Sequence, residues 1–483
     1  MKTYIGVDLG TSSIKLSLIN INGEIISECS KGYPVHQEGL YSEQNPEDWW
    51  SAFEYCFDKL LEKQDRYSVD GISFSGQMHG LVILDTNDKV IRPCILWNDG
   101  RSEEETNYLN EVVGKDTLSE LTGNIAYAGF TAPKLLWVQK HEPENFRRIS
   151  KIMLPKDYIV YRLTSQFVTD YSDASGTLYL DVKNKRWSEK MQHILAISSE
   201  MLPKLHESTD VIGEVSMDFR EKHNVIGIQV VIGAGDNAAS AVGMGVVNEG
   251  EINISLGTSG TIFIPTNKFV LPKDNALHSF VNTTGDYHLM GCILSAASTR
   301  KWWLEVVLNS EDYHADDMDI KYASADHLYF LPYLSGERSP HNDVNARGAF
   351  IGLTHTTTKR EMSKAIVEGV AFALRDCLEI AKENGCKFTK ATICGGGSKS
   401  DIWNQIMSDI LDLPIYKNEG SGSFGAALLA LSGVNNISLY DNRIIKNMKY
   451  EKVFYPKKDN AEYYNNKYQT FAKLYPALKD IKL

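Results

Sequence analysis

The sequence predicts an α/β protein in which two domains of like topology flank a cleft. With 483 residues the chain is too long for one ordinary core, so two or three domains are expected. One short segment occurs twice, as IGVDLGTS at 5–12 and as INISLGTS at 252–259, and an apolar, strand-like segment follows each copy. Two matching hairpins indicate two domains that begin in the same way. The boundary is therefore predicted near Gly245, giving domains at 1–245 and 246–483.

The composition narrows the class of protein. A net charge of −12 argues against a nucleic-acid partner, which needs a basic surface, and against an anionic membrane surface. The seven cysteines are scattered and form no CxxC pair, so neither a disulfide framework nor a zinc site is expected. Reduced thiols, an early aspartate where a secretory signal would be apolar, and no run of about 18 apolar residues predict a cytoplasmic protein without a membrane span.

The chain opens with a predicted meander of three antiparallel strands. Residues 4–7 and 14–19 are strand-like, and Asn22-Gly23 is a strong hairpin signal into a third strand. The first loop, residues 8–13, offers an aspartate, a glycine, three hydroxyls and successive backbone N–H groups. Such a loop can form a concavity for phosphate, although an ordinary polar hairpin has the same composition.

Two polar loops follow in the first half of the chain. A helix is predicted at 45–61, and a strand at 69–75 runs into the loop 76–80 (GQMHG). A second loop, 96–101 (LWNDGR), is also dense in polar groups. A lone His or Trp in such a loop is more often structural, but two polar loops close in sequence favour a site for a polyhydroxylated ligand.

Asp236 lies at the turn between an apolar segment, 225–232, and a small-residue helical segment, 237–247. A carboxylate there suits a general base or a metal ligand, and it also suits a helix N-cap without chemistry. The stretch 233–238 (GAGDNA) matches the dinucleotide pattern G-x-G-x-x-A. An NAD-dependent oxidoreductase is nevertheless the weaker hypothesis, because the acid expected at the end of the next strand is missing and Asp236 would repel a pyrophosphate.

Other elements are predicted from apolar periodicity and turn signals. They are helices opening near Pro133 and Pro155, a polar loop at 170–177, strands at 261–265, 327–333 and 391–394, a polar loop at 334–341, and helices at 361–384, 400–411, near 425, and at 460–475. The triple glycine at 395–397 lies between a strand and a helix, where a flat ring or a phosphate can approach the backbone. No G-x-x-x-x-G-K-[ST] motif occurs, which argues against a P-loop enzyme.

Together these motifs resemble those of the actin-like ATPase superfamily and, within it, of the FGGY carbohydrate kinases. The resemblance rests on both hairpins, the triple glycine, GFTAPKLLW at 129–137, the segment 348–368, the loops 76–80 and 96–101, GDNAA at 235–239 and LPYLSGER at 331–338. It extends from about residue 4 to about residue 430 and is weak over the last fifty residues. The resemblance implies two ribonuclease H-like, actin-like ATPase domains around the cleft.

The same resemblance implies an activity and its partners. The activity is transfer of the γ-phosphoryl group of ATP to the 5-hydroxyl of D-xylulose, with Mg²⁺ present. The resemblance also implies a homodimer. Kinases of ribulose, gluconate or glycerol remain alternatives, as does a nucleotide-dependent binding protein that is not a kinase. One departure from the family's pattern is the bulky Phe424 before Gly425, on the side expected to hold adenine.

The resemblance also implies roles for single residues. Asp236 matches the catalytic base, and Asp8 matches a second catalytic residue and the metal ligand. The implied substrate-binding residues are Gln77, Met78, His79, Trp97, Asn98, Asp99, Asp236 and Asn237. The implied ATP-binding residues are Gly10, Thr11, Ser12, Gly257, Thr258, Ser259, Gly396, Gly397 and Asn404. If helix N–H groups bond to the Asp236 carboxylate, that group is expected to stay ionised near neutral pH.

Overall fold

The first half of the chain forms a seven-stranded sheet. The computed structural model describes residues 2–418 and 420–481. The strands of the first sheet are β1 (Thr3–Leu9), β2 (Ser13–Asn20), β3 (Ile25–Gly32), β4 (Val69–Gly76), β5 (Val211–Glu214), β6 (Gln229–Val231) and β7 (Ala234–Gly235). Their spatial order is β5-β6-β4-β1-β2-β3, with β7 paired to β4. The predicted opening meander is therefore confirmed, since β1, β2 and β3 pair antiparallel.

The second half forms another seven-stranded sheet. Its strands are β8 (Glu251–Leu256), β9 (Gly260–Thr266), β10 (His278–Val281), β11 (Tyr287–Ile293), β12 (Lys390–Cys394), β13 (Ile415–Lys417) and β14 (Lys452–Phe454). They lie in the order β10-β11-β9-β8-β12-β13-β14. In each sheet the strand before the loop pairs antiparallel with the strand after it, and parallel with a later strand, β4 or β12. The prediction of two domains with like topology is confirmed by this correspondence.

Helices pack against the sheets and against one another, and eight of those within the described residues are numbered. They are α1 (Pro46–Leu60), α2 (Thr131–His141), α3 (Pro155–Thr164), α4 (Asp236–Gly243), α5 (Lys359–Glu383), α6 (Asp401–Leu411), α7 (Gly422–Val434) and α8 (Lys458–Leu478). The other helical segments, most of them short and some of them single turns, are Arg66–Ser68, Glu103–Asn107, Tyr108–Gly114, Lys115–Thr122, Pro143–Arg147, Tyr171–Ala174, Ser175–Thr177, Glu189–Leu195, Ser199–Met201, Met217–His223, Lys273–Asn275, Ala297–Lys301, Trp302–Val307, Tyr313–Tyr322, Gly396–Lys399, Leu439–Asp441 and Arg443–Lys446. Small peripheral sheets pair Tyr41–Gln44 with both His36–Glu38 and Cys94–Ile95, Val82–Leu84 with Lys151–Met153, Val168–Asp170 with Lys204–His206, Leu180–Asp181 with Arg186–Trp187, and Tyr329–Leu331 with Ala349–Ile351.

The segment predicted as a polar loop at 170–177 is helical instead. Tyr171–Ala174 and Ser175–Thr177 are consecutive helical turns, and most of their side chains are buried. Asp170 caps the first turn, because its carboxylate accepts a hydrogen bond from the backbone N–H of Ser172. The polar composition suggested exposure, but the hydroxyls of Ser175 and Thr177 donate to backbone carbonyls of the same turns, and that of Ser172 donates to Asp170.

Helix α7 joins the two halves of the molecule. Although it comes late in the chain, it lies directly on β1: a β-carbon on Gly6 would stand 1.9 Å from the carbonyl oxygen of Ser423. It is equally close to α4, since a β-carbon on Gly425 would stand 1.9 Å from the carbonyl oxygen of Ala239. The small residues predicted near 425 therefore allow backbone-to-backbone packing between the halves.

The C-terminal helix α8 docks on the second sheet's helices, as its aromatic face predicts. Tyr464, Tyr468 and Phe471 are buried against Phe372 of α5. Among the residues that the structure describes, no helix is both long and apolar enough to cross a membrane.

Candidate active site

Asp236 is held at the carboxyl end of the first sheet by close backbone packing. Strand β7 ends at Gly235, which pairs with Gly76 at the end of β4, and Asp236 is the first residue of α4. The turn before it needs glycine, because Gly233 has a φ of 84° and a β-carbon there would lie 1.9 Å from the carbonyl oxygen of Phe74. The Asp236 side chain is thereby fixed at the start of α4.

The pKa of the Asp236 carboxyl group is about 7, so the group is only partly ionised at neutral pH. Oδ1 accepts hydrogen bonds from the backbone N–H of Asn237, at 2.7 Å, and from its side-chain amide, at 3.0 Å. Burial, followed by the negative charge of Asp8, outweighs these bonds and raises the pKa of Asp236 to about 7. The N–H bonds therefore do not keep Asp236 fully ionised near neutral pH, contrary to the expectation, and Gly235 rather than Asp236 occupies the N-cap position.

Asp8 lies at the end of β1, beside the first hairpin loop. Within the described residues, the hydrogen bond to its carboxylate comes from Ser75 Oγ, 2.8 Å from Oδ1. The N-terminus of α7 closes one side, because a β-carbon on Gly422 would lie 2.8 Å from both carboxylate oxygens. Burial raises the pKa of Asp8, against the lowering effects of the Ser75 bond and the Lys15 charge. Two half-buried carboxylates, Asp8 and Asp236, thus lie close enough to repel each other.

The first hairpin loop is braced from outside through its own oxygens. Gln44 Nε2 donates to the Thr11 carbonyl at 2.6 Å, and Trp97 Nε1 donates to the Thr11 hydroxyl at 2.9 Å. The Tyr33 hydroxyl donates to the carbonyl of Gly10. Ser12 is exposed at the tip of the loop. The structure thus brings Trp97, predicted as a sugar contact, to the predicted phosphate loop.

The second hairpin loop is braced in a similar way by the helical turn at Ala297–Lys301. The backbone N–H of Ala297 bonds to the Gly257 carbonyl at 2.9 Å, and Ser298 Oγ donates to the Thr258 carbonyl at 2.6 Å. Thr258 is exposed, and Ser259 is half-buried. The two hairpins therefore each present a fixed loop at the corresponding edge of their sheets.

The glycine-rich turn lies directly against the second hairpin strand. A β-carbon on Gly395 would stand 2.7 Å from the Leu256 carbonyl oxygen, and one on Gly397 would stand 2.9 Å from the Leu256 side chain. Gly396 is exposed, and a β-carbon there would meet nothing within 4 Å. Asn404 is fully buried behind the turn, and its Nδ2 donates to the Ser398 carbonyl at 2.7 Å. We therefore infer that Asn404 stabilises the glycine-rich turn, and that Gly396 is the part of the turn accessible to a ligand.

His79 is prepared as a hydrogen-bond acceptor in the predicted sugar loop. Its Nδ1 is 2.7 Å from the carbonyl oxygen of Gly176, so Nδ1 carries the proton and Nε2 presents a lone pair. The ring stacks on Phe130 at 4.6 Å between centroids. Burial, followed by the charge of Lys134, lowers the pKa of His79 to about 3, which keeps the imidazole neutral.

The two residues before His79, Met78 and Gln77, make contacts of different kinds. Met78 packs against Gly235, whose β-carbon would lie 3.1 Å from the Met78 side chain, so the sugar loop touches the residue before Asp236. Gln77 is buried, and its Nε2 donates to Gln44 at 3.0 Å. Gln77 therefore couples the sugar loop to Gln44, the same residue that braces the phosphate hairpin.

The loop 96–101 gives its acids and amides unequal parts. Asn98 is exposed. Asp99 is buried, and its carboxylate accepts hydrogen bonds from the backbone N–H of Ser42 at 2.5 Å and from Arg101 Nη2 at 2.7 Å. Both oxygens of Asp99 accept bonds from Arg101 within the loop, so Asp99 holds the shape of the loop, and its contact with a sugar stays a prediction.

Several residues near the site escaped the sequence analysis. Lys134 Nζ donates to the carbonyls of His79, at 2.9 Å, and Gly129, at 2.6 Å, and so holds the sugar loop from behind. A fully buried lysine, Lys156, lies against the end of β4, and the Arg338 guanidinium reaches over Tyr127 at 5.3 Å. The pattern of three aspartates at 157, 170 and 173 near a lysine was the available signal for the buried charges.

The fold and the site define a phosphotransferase with an alcohol acceptor, in which two sheets of like topology each present a phosphate-type hairpin. The family model for the N-terminal domain of FGGY carbohydrate kinases matches residues 3–243, and the model for the C-terminal domain matches residues 252–434. The chain belongs to the FGGY family of carbohydrate kinases, a membership that implies ATP as the phosphoryl donor.

Individual relatives agree with this membership. A xylulose kinase from Escherichia coli is 38% identical over 98% of this chain and 99% of its own. A crystal structure from Brucella ovis, named a "xyloylose kinase", is 36% identical with a TM-score of 0.94, covering 99% of each chain. A gluconate kinase structure from Lactobacillus acidophilus is 29% identical with a TM-score of 0.95, covering 100% of this chain and 99% of its own. The fold prediction of actin-like ATPase domains is confirmed by these solved sugar kinases.

Proposed function

We propose that this protein phosphorylates D-xylulose at its 5-hydroxyl, with ATP as donor, to give D-xylulose 5-phosphate. The observation that carries the chemistry is the Asp236 carboxylate, which has a pKa of about 7 and lies beside the sugar loop at the end of β4. The support for the sugar is the full-length likeness to proteins named xylulose kinase.

Asp236 is the proposed general base. A carboxylate with a pKa near the working pH is well matched to take a proton from an alcohol as it attacks phosphorus. The neutral His79 would accept a hydrogen bond from a sugar hydroxyl through Nε2, and Met78 would cover the apolar face of the sugar. Asn237 bonds Oδ1 of Asp236, so Oδ2 is the oxygen proposed to face the substrate.

The two hairpins and the glycine-rich turn are the proposed ATP site. Backbone N–H groups of residues 10–12 and 257–259 would stabilise charge on the phosphates, and the open face of Gly396 would receive the adenosine. Closure of the two halves around both substrates would exclude water and suppress ATP hydrolysis.

The acidic residues fit a magnesium ion. Carboxylate oxygens are suitable ligands for Mg²⁺, and Ser75 bonds one oxygen of Asp8 and leaves Oδ2 for a ligand. A cation beside Asp8 would also relieve its repulsion of Asp236. Asp8 is thus the residue proposed to hold Mg²⁺, which when bound neutralises phosphate charge. A homodimer and a cytoplasmic location stay predictions.

A second candidate is a kinase of another polyol. The close structural likeness to a gluconate kinase favours it over more distant alternatives. The sugar loop and the Asp236 turn would serve any polyol with a primary hydroxyl, so the geometry of the base does not discriminate between these substrates.

The test is ADP release measured with D-xylulose, D-ribulose, gluconate and glycerol in parallel, for the wild type and for Asp236→Asn. We expect the highest kcat/KM with D-xylulose and a loss of at least about 100-fold in kcat for the variant, the usual contribution of a general base. A higher kcat/KM with another polyol would show that D-xylulose is not the preferred substrate. Near-normal turnover by the variant would contradict the assignment of Asp236 as the general base. Slow ATPase activity that no sugar stimulates would contradict the proposal that the protein is a sugar kinase.

A further inference from the structure

A buried cluster of charges lies directly beneath the proposed base. The ammonium of Lys156, at the start of α3, is fully buried together with three carboxylates. Its Nζ is 2.6 Å from Asp157 Oδ1, 2.8 Å from Asp170 Oδ1 and 3.7 Å from Asp173 Oδ2. Burial lowers the pKa of Lys156, but the three carboxylates together raise it above its ordinary value, so the lysine stays charged. A buried cation of this kind is costly unless it is paired, so the cluster calls for a role.

The cluster is connected to Asp236 through a chain of hydrogen bonds. Asp170 Oδ2 accepts from the Ser172 hydroxyl at 2.5 Å and from the Ser172 backbone N–H at 2.8 Å. The same hydroxyl accepts from the backbone N–H of Gly235 at 3.1 Å. Gly235 immediately precedes Asp236, so a continuous path joins Lys156 Nζ, the Asp170 carboxylate, the Ser172 hydroxyl and the backbone that presents the base.

Lys156 also supports the strand that carries the sugar loop. A β-carbon on Gly76 would lie 2.8 Å from Cβ of Lys156, so the lysine packs against the last residue of β4. Gly76 pairs with Gly235 and is followed by Gln77, Met78 and His79. The backbone before the base and the backbone before the sugar loop therefore both rest on this buried cluster.

We propose that Lys156, Asp170 and Ser172 form a positioning relay that sets the orientation of Asp236 toward the sugar hydroxyl. The inference rests on the proposed function, since it assigns a purpose to residues that touch the base only through the backbone. None of the three is a catalytic residue, because they lie behind Gly235 and Gly76. A small misplacement of a reacting group is enough to lower turnover by about 100-fold, which makes such support consequential.

Ser208 supplies a matched control for this relay. Its hydroxyl donates to the same Asp170 Oδ2 at 3.0 Å, and it is buried like Ser172. Its backbone carbonyl accepts from the N–H of Gly233, a bond that an alanine would keep. Ser208→Ala therefore removes one hydrogen bond from the cluster without removing the bond to Gly235, whereas Ser172→Ala removes both.

The experiment compares kcat, KM for the sugar, KM for ATP and Tm in the wild type, Ser172→Ala, Ser208→Ala and Lys156→Met. For Ser172→Ala we expect kcat to fall by about 10- to 100-fold while KM for ATP stays within about twofold. Ser208→Ala is expected to keep a kcat within about threefold of the wild type. Equal losses in both serine variants, or a normal kcat in Ser172→Ala, would overturn the relay.

Lys156→Met adds a second test of this inference. The activities of the wild type and of Asp236→Asn separate the inference from the proposed function. If Lys156→Met folds, its kcat should fall at least as far as that of Ser172→Ala; if it does not fold, the serine pair still decides. Absence of sugar-stimulated activity in the wild type would reject the proposed function. An active wild type with an inactive Asp236→Asn, combined with a fully active Ser172→Ala, would reject the relay alone.

Discussion

At the scale of single residues, Asp236 shows how burial decides the state of a side chain. The sequence places it at a helix start, where N–H groups favour a charged carboxylate. The fold adds the loss of water and the neighbouring Asp8, and these raise the pKa of Asp236 to about 7. The candidate base could be chosen from the sequence, but its pKa could not, because Asp8 is brought to it only by the folding of β1 beside β4.

This pKa predicts a pH dependence of catalysis. Below about pH 7 the Asp236 carboxylate is protonated and cannot accept the sugar proton, so kcat/KM for the sugar should fall as the pH is lowered. A profile of kcat/KM from pH 5 to pH 9 should inflect at or somewhat below 7, because Mg²⁺ beside Asp8 would weaken the repulsion that helps to raise this pKa. A profile that stays flat down to pH 5 would contradict the assigned pKa.

The same shift predicts a change in stability. The folded pKa of Asp236 is about 7, above the ordinary value of about 3.9, so ionising this group costs stability above about pH 4, and the cost is complete above about pH 7. Asp236→Asn removes that cost. Its Tm should therefore exceed that of the wild type by more at pH 8 than at pH 5, and the reverse order would be inconsistent with a raised pKa.

At the scale of elements, two of the three glycines of α7, Gly422 and Gly425, serve different purposes. A β-carbon on Gly422 would contact the movable side chain of Asp8 at 2.8 Å, whereas one on Gly425 would strike the backbone of α4 at 1.9 Å. The sequence indicates a small-residue helix here, yet it does not tell which glycine faces the site. That distinction depends on the contact of α7 with β1 and α4, elements far away in the chain.

The two glycines should respond differently to alanine. Gly422→Ala should displace the Asp8 carboxylate and lower kcat by at least about 10-fold, with little change in Tm. Gly425→Ala should force α4 and α7 apart and cost about 1–3 kcal/mol of stability. Kinetic assays and thermal unfolding of both variants provide the measurement, and an active, less stable Gly422→Ala would contradict the assignment.

At the scale of the whole molecule, the sugar and the adenosine of ATP are proposed to bind on different halves, with the phosphates between the two hairpins. The sugar loop and Asp236 belong to the first sheet, while the second hairpin and Gly396 belong to the second. The repeated hairpin made this division predictable. The three aspartates near Lys156 in the sequence are a signal for buried charges, but they do not show that the charges meet, because Lys156 meets Asp170 only through the packing of α3 against the helical turn at 171–174.

This division predicts separable effects on the two Michaelis constants. Gly396→Val places a branched side chain on the open face of the glycine-rich turn, where it would obstruct the nucleotide. KM for ATP should rise by about 10-fold or more, the effect of losing about 1.4 kcal/mol of binding. KM for the sugar and Tm should stay close to the wild-type values. A rise confined to KM for the sugar would contradict the proposal that the nucleotide binds at this turn.

The packing of α7 on β1 also bears on how the chain folds as it is made. The ribosome releases β1 and β4 early, but the helix that covers Gly6 comes only from residues 422–434. Until then the first sheet has one apolar face open to water or to chaperones, even though domains generally fold as units from the N-terminus. The first half of this molecule is therefore completed only after most of the second half has been synthesised, by a segment that precedes β14 and α8 in the chain.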